Sequence, residues 1–266
     1  MDILFTDLDN TLIYSRKGLC IIPLNDKARN FYSKFGFKTL KFDIYNGEEI
    51  SFMSKYSNEL LCKLSAHLLI VPITTRTYPQ YKRINFGILP EYVLCANGGI
   101  LLKNGIISEE WYKKSLDIVK DSVSERKKAF DILKKDKRRI FECRNIDDLF
   151  IFTKCDNIED VVEELFQRLD IGLVDILYNK EKLYILPKAL NKADMIRRFI
   201  KEYKLSKDKD LVFAAGDTEF DIKMIEFANI GFAHKDLNIN SKNVFNDYEG
   251  LFSDFYLEEV FKYIKE

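Results

Sequence analysis

The sequence predicts an α/β protein, a doubly wound, Rossmann-like parallel-sheet core interrupted by an inserted α+β domain. Three observations predict it. Short, wholly apolar runs recur along the chain: ILF at 3–5, LLIVPI at 68–73, YVLCA at 92–96, LVFAA at 211–215 and IGFA at 230–233, each followed by polar or glycine residues. Runs without alternation are what strands covered on both faces require, whereas a sheet with one wet face alternates. Helical patterns lie between these runs, and the middle of the chain switches to a twice-repeated helix-strand-strand order.

Taken in order, the run at 3–5 opens the sheet and a helix over about 56–66 leads into the second strand. The third strand runs into Asn97-Gly98-Gly99 and then ILLKNGII, where Asn104-Gly105 predicts a tight hairpin turn. A charged helical stretch follows over 115–136, then strand-like RRIFECR (138–144) and DLFIFTK (148–154). A helix over 158–169 precedes two more strands, LVDILYN (173–179) and KLYILP (182–187). This pattern predicts an antiparallel sheet with helices on one face. It sets the inserted domain at 113–185 and the core at 1–112 and 186–266. In NKADMIRRFIKEYKL, Ile196, Phe199, Ile200 and Tyr203 fall at helical spacing, with Asn191 as the cap.

Composition removes several function classes. With 47% hydrophobic and 32% charged residues over 266 positions, the chain reads as a soluble globular protein with a sizeable core. Lys plus Arg and Asp plus Glu each number 42, so no global charge draws it to nucleic acid or anionic lipid. Cys20, Cys62, Cys95, Cys143 and Cys155 are odd in number, scattered and without a CxxC pair. They suggest neither a disulfide framework nor a zinc cluster, and most are expected as buried thiols in a reducing cytosol. The two histidines, His67 and His234, sit in no recognisable motif, which argues against a histidine-rich metal site or a Ser-His-Asp triad. An acid at position 2 argues against a signal peptide, and the run at 68–73 is too short to span a bilayer. The expectation is a cytoplasmic protein with no nucleic-acid, membrane or obligate protein partner. The abundant Phe and Tyr, the basic run at 134–139 and Trp111 read as packing and solvated surface.

Acids are not what a strand end needs for packing, yet ILF ends in Asp7 and Asp9. Taken alone, D-L-D-N-T could be a solvated turn. Other strand ends carry polar groups too: Thr74-Thr75-Arg76 after LLIVPI, and Gly216-Asp217 after LVFAA with Asp221 one helical turn later, while Lys192 starts a helix. The carboxyl ends of parallel strands are where such a sheet places its site. Gathering Asp7, Asp9, Asp217 and Asp221 there is costly without a cation, and carboxylates with retained waters are the set magnesium prefers. A lysine and a hydroxyl beside them suit a phosphate group, gripped by Lys192 and Thr74. In that reading Asp7 attacks phosphorus to give an aspartyl-phosphate, and Asp9 moves the proton of the leaving alcohol and later of water.

As a set, D-L-D-N-T, Thr74, Lys192 and G-D-T-E-F-D resemble the four motifs of the haloacid dehalogenase superfamily. The order of elements is similar to its large-cap members, the Cof-type and sucrose-phosphate-phosphatase-like phosphatases. Thr74-Thr75-Arg76, Asn97-Gly98-Gly99 and the tail IGFAHKD with FNDYEGL match further parts of their pattern. The resemblance implies Asp7 as nucleophile and Mg²⁺ ligand, and Asp9 as acid/base that ligates the metal through its backbone carbonyl. It implies Thr74 and the Thr75 N–H on the phosphoryl group, Lys192 neutralising it, and Asp217 and Asp221 at the metal. Arg76 and Asn97 would border the substrate. Phe220, where many relatives have Asn, and Thr75, where many have Gly, depart from the pattern.

The leading expectation is therefore a Mg²⁺-dependent phosphomonoesterase acting on a small phosphorylated metabolite of the sugar or polyol type, with the inserted domain as a cap. A phosphomutase would use the same intermediate. A receiver-type signalling module gathers similar groups, but lacks the DxD at the first strand and has about half the length. A non-catalytic phosphate or Mg²⁺ binder is the remaining alternative.

Overall fold

Continuous apolar runs become central strands. The computed structural model describes residues 1–15, 19, 37–39, 44–45, 48–85, 87–239 and 241–265. In it β1 (Ile3–Thr6) is buried throughout and lies inside a five-stranded parallel sheet of order β16-β15-β14-β1-β6. The partners are β6 (Leu69–Pro72), β14 (Val212–Gly216), β15 (Ile230–Ala233) and β16 (Val244–Phe245). Short strands β2 (Phe37–Thr39), β3 (Ile44–Tyr45), β4 (Glu48–Glu49) and β5 (Phe52–Ser54) form two small antiparallel pairs. Beyond β6 comes β7 (Tyr92–Cys95), joined by a parallel bridge between Ile73 and Leu94. It continues as a meander through β8 (Ile100–Lys103) and β9 (Ile106–Ile107). The turn before β9 is the expected one: Asn104 and Gly105 have φ of 49° and 77°, the left-handed pair that a two-residue hairpin needs.

Helices cover both faces of the sheet. Phe5 meets Phe199 edge-on at 5.8 Å, on the helix Lys192–Glu202, while the adjacent Thr6 meets Tyr256 on the helix Phe252–Lys265. Successive strand residues point to opposite faces, so these helices lie on opposite sides. The spacing that predicted the Lys192–Glu202 helix is its buried stripe of Ile196, Phe199 and Ile200, and the Asn191 side chain caps it by accepting from the Asp194 N–H. Trp111 is fully buried against Phe199 and donates to the Gly98 carbonyl, a packing anchor as expected.

The middle segment forms a four-stranded antiparallel sheet of order β10-β11-β13-β12: β10 (Arg144–Ile146), β11 (Phe150–Lys154), β12 (Val174–Asn179) and β13 (Lys182–Pro187). One face carries Ile151, Val174, Ile176, Leu183 and Ile185, packed with Ala129, Leu133, Val161 and Leu165 of the helices Val123–Lys135 and Ile158–Arg168. The alternate residues Phe150, Tyr184 and Leu186 join the core cluster instead. Period-2 alternation thus gives this sheet one face for its helices and one for the core.

Two sequence expectations need correction here. The helix expected over 115–136 is two helices, Glu109–Ile118 and Val123–Lys135, broken by a 3-10 turn at Lys120–Ser122. Ser108 starts the first by accepting from the Trp111 N–H, so a good cap lies upstream of the predicted start. The joint expected at 112/113 falls inside that helix. The strand expected over 138–144 is confined to Arg144–Ile146. Upstream, Ile140 donates to the Lys154 carbonyl and Phe141 accepts from the Thr153 hydroxyl, so the segment follows β11 without an unbroken ladder. Cys95, Cys143 and Cys155 are buried free thiols, Cys62 is exposed, and Cys20 lies outside the described residues. No helix among the described residues is long and apolar enough to cross a membrane.

Candidate active site

Register aligns the strand ends. Thr6 stands beside Ala215 on one side and Pro72 on the other, so the residues that follow β1, β14 and β6 emerge together. Asp7 is fixed there by donating its N–H to the Ala215 carbonyl at 2.9 Å. Gly216 then lets Asp221 fold back, because a Cβ at 216 would lie 2.2 Å from the Asp221 Cβ. Gly216→Ala is therefore expected to lose about 1–3 kcal/mol of stability by overpacking and to displace Asp221. Urea unfolding checks it, and an unchanged midpoint contradicts it.

Lys192 is the centre of the charge arrangement. It is 2% exposed, and its Nζ donates at 2.5 Å to both Asp7 and Asp221, which are also buried. The Thr218 N–H and hydroxyl hold the other Asp221 oxygen at 3.1 and 2.9 Å. Asp217 accepts at 3.3 Å from both Asn10 and Thr11, two residues of the D-L-D-N-T loop. Carboxylate oxygens of Asp7, Asp217 and Asp221 all lie within 4.8 Å of one another. Burial, with the Asp221 and Asp9 charges adding to it, pushes the Asp7 carboxyl up to about 7 despite Lys192. Burial and the charges of Asp7 and Asp221 likewise push Asp217 well up. The two carboxylates beside Lys192 outweigh its own burial and raise its pKa. An all-oxygen set under mutual repulsion is what a hard divalent cation such as Mg²⁺ fits.

Asp9 is treated differently. Arg76 grips it with Nε and Nη2 at 2.8 and 2.7 Å, a two-pronged pair, and its carboxylate stays outside the Asp7 cluster. Burial would raise its pKa, but the charge and hydrogen bonds of Arg76 outweigh that and hold it below the usual carboxylate range. Its side chain keeps 45% exposure, so solvent screens the pair.

A cleft of about 60 Å³ lies over these groups, lined by Asp7, Asp9, Thr75, Lys192 and Asp217 from the core and by Asn179, Lys182 and Tyr184 from the antiparallel sheet. A sequence profile of haloacid dehalogenase-like hydrolases matches residues 4–246, nearly the whole chain. The chain belongs to the haloacid dehalogenase-like hydrolases. No curated protein sequence matches it. Among solved structures it is similar to the sucrose-phosphatase of Synechocystis sp. PCC6803 in complex with sucrose and phosphate, at 15% identity over 99% of this chain and 98% of that one, TM-score 0.61. A Thermoplasma acidophilum protein is similar at 16% identity over 100% and 98%, TM-score 0.62. Aspergillus fumigatus trehalose-6-phosphate phosphatase is similar at 13% identity over 97% and 92%, TM-score 0.54.

In this haloacid dehalogenase-like hydrolase, the structure brings Asp7, Asp9, Thr75, Lys192 and Asp217 to the cleft, with Asp221 directly beneath. Arg76 reaches it through Asp9. Thr74 is 1% exposed, and its hydroxyl accepts from the Arg76 N–H at 3.1 Å. Asn97 does not line the cleft: it is 2% exposed and donates to the Leu190 carbonyl at 2.7 Å, two residues before Lys192. Sequence reasoning missed Asn10, Asn179, Lys182, Tyr184 and Thr218 as cleft residues. Asn10 and Thr218 sit inside motifs already singled out, so their place was available. Asn179, Lys182 and Tyr184 alternate along β12 and β13, but alternation does not say which face meets the core.

Proposed function

We propose that the chain is a Mg²⁺-dependent phosphomonoesterase, acting on a small phosphorylated metabolite of the sugar or polyol kind through an aspartyl-phosphate on Asp7. The observation that carries this reading is the buried Lys192 shared by Asp7 and Asp221, in a cleft that Asp217 and Thr75 also line. Mg²⁺ held by Asp7, Asp217, Asp221 and the Asp9 carbonyl would neutralise charge on the phosphoryl oxygens. Lys192 adds a fixed positive charge in a desolvated place, and Thr74 and Thr75 orient the phosphoryl group.

In the first half of the reaction an Asp7 oxygen attacks phosphorus, the P–O bond to the alcohol breaks, and Asp9 gives the alkoxide a proton. In the second half Asp9 takes a proton from water, whose oxygen attacks phosphorus and restores the Asp7 carboxylate. Arg76 keeps Asp9 ionised, the state the second half needs, so protonation for the first half requires the pair to loosen. Arg76→Gln is accordingly expected to move the acid limb of the kcat–pH profile upward and lower kcat about tenfold, within the usual range for general acid–base groups. An unchanged profile contradicts this role for Asp9.

In this reading the segment 113–185 is the cap, which lends Asn179, Lys182 and Tyr184 to the lining of the cleft. The cleft is small, about 60 Å³, and in this reading a sugar-sized substrate enters as the antiparallel sheet withdraws. Tyr184 meets Phe220 edge-on at 5.4 Å across that joint. Free Cys62, Cys95, Cys143 and Cys155 fit a reducing compartment, and we place the enzyme in the cytoplasm.

The test is release of inorganic phosphate from an aryl phosphate with Mg²⁺ and with a chelator. Turnover that the chelator removes supports the reading; no phosphate release in either condition sinks it, and transfer to a sugar without free phosphate points to a mutase. A second measurement follows from Asp7, where a proton competes with the cation below about pH 7. The apparent Mg²⁺ affinity, followed by thermal shift, should weaken by about tenfold per pH unit on acidification below that point. Pure pH-independence between about pH 8 and 5 would remove Asp7 from the ligand set.

A further inference from the structure

The face of the antiparallel sheet that covers the cleft carries an unusual pair. Lys182 lines the cleft at the start of β13, and the register sets Lys154 of β11 directly opposite it. Residues directly opposite in an antiparallel pair share a face with Cβ atoms about 4.5–5.5 Å apart, and like charges there are destabilising. Neither lysine side chain makes an ion pair with a described residue: Lys154 lies over the Phe141 ring at 5.8 Å, and the exposed Lys182 side chain makes no hydrogen bond among the described residues, only its backbone being paired in the sheet. Glu181, in the adjoining turn, is exposed and bridges neither. On its other side Lys182 is paired in register with Asn179, which also lines the cleft, and Tyr184 follows two residues along the same face.

The phosphoryl end of the cleft is already furnished with cation. Lys192 serves Asp7 and Asp221, and Arg76 is taken by Asp9. Lys182 approaches from the cap side, where the alcohol part of an ester would project, and its charge is felt at Asp9. A negative group placed between Lys182 and Lys154 would turn their repulsion into two attractions, with Asn179 offering a neutral hydrogen-bonding side chain beside it.

We propose that Lys182, backed by Lys154, binds a second anionic group on the alcohol side of the substrate, so that the preferred substrates are phosphate esters that also carry a carboxylate or a second phosphate. This rests on the phosphomonoesterase reading and narrows its substrate class from neutral sugar or polyol phosphates to acidic ones. It assigns specificity to a position that no motif marks.

Matched substrates test it. In the carboxylate arm, 3-phosphoglycerate is compared with glycerol 3-phosphate; in the phosphate arm, fructose 1,6-bisphosphate with fructose 6-phosphate. We expect kcat/KM to favour the more acidic member of at least one pair by tenfold or more, and the favoured arm names the group. Lys182→Gln should bring that ratio to within about threefold of one, whatever it does to overall turnover, and Lys154→Gln should reduce it less. Equal rates within both pairs overturn the proposal, as does a Lys182→Gln protein that slows both members of a pair alike. An aryl phosphate, which carries no second anion, separates the two readings, since failure to turn it over counts against the phosphatase and not against the anion site. Equilibrium binding of the same pairs to the Asp7→Asn protein reads the anion site without turnover: tighter binding of the acidic member that Lys182→Gln abolishes supports it, and equal binding overturns it.

Discussion

Asp7→Asn is expected to reduce phosphate release by about a thousandfold or more, because the group removed forms the covalent bond in the first step. The amide keeps the size of the carboxylate and leaves the Asp7 N–H bond to the Ala215 carbonyl in place, so the strand end should hold its position. The side chain loses the oxygen anion that attacks phosphorus and the charge that faces Lys192 at 2.5 Å. Stability supplies the control, and its sign can be worked out. The Asp7 carboxyl binds its proton more tightly in the folded chain, near 7, than in the unfolded chain, at 3.8. Ionising it therefore costs folding free energy that is absent below the unfolded value, grows as pH rises between the two, and is full above about 7. Without a divalent cation, the Asn variant should lose none of its stability relative to wild type at about pH 8, and the comparison should turn less favourable to the variant toward pH 5. Phosphate release within a few-fold of wild type would remove Asp7 from the nucleophile's place.

What the sequence made legible follows one rule: features set by neighbours in the chain could be read, and features set by packing between segments could not. The apolar runs at 3–5, 69–72 and 212–216 became adjacent parallel strands because a strand buried on both faces has little freedom in composition. With those strands aligned, Asp7 and Asp217 emerge close together, and the helix packed on Phe5 brings Lys192 to Asp7. The Asn104-Gly105 turn was equally local. Arg76 and Asn97 show the limit. Both were expected to border the substrate, yet Arg76 is tied to Asp9 across sixty-seven residues of chain, and Asn97 turns inward to the Leu190 carbonyl. Asn97 holds the loop before Lys192 from a stretch in which Ala96, Asn97 and Gly98 all have positive φ, a backbone course that composition alone does not specify. Lys182 and Tyr184 escaped for the same reason, since the choice of which sheet face meets the core is made by the two hydrophobic clusters together.

Lys192→Met should cost more stability than any other single change at the site, about 3–5 kcal/mol at neutral to alkaline pH, together with at least a hundredfold loss of turnover. Met fills a similar volume and leaves the buried stripe of the helix Lys192–Glu202 intact, so the loss isolates the charge. The lysine is 2% exposed and Asp221 is fully buried, hence water cannot replace the ammonium once it is gone. Asp7 and Asp221 are then left as neighbouring carboxyls with no counter-charge, and the least costly response is for one to take up a proton. That response fixes the pH dependence. In the wild type the pair of carboxylates raises the Lys192 pKa, so the lysine keeps its charge throughout the working range and the penalty must come from the acids. The cost of Lys192→Met thus grows with pH and is larger at about pH 8 than at about pH 5, because a proton taken up by the folded chain costs more the further the pH lies above 3.8, where the unfolded Asp7 carboxyl releases its own. Urea unfolding at the two pH values measures it. Adding Asp221→Asn to Lys192→Met should recover part of the stability by removing the stranded charge, and none of the turnover. A cost below about 1 kcal/mol that does not change with pH would mean that the ammonium does not hold these acids together in solution, and the charge arrangement from which the chemistry is argued would fall with it.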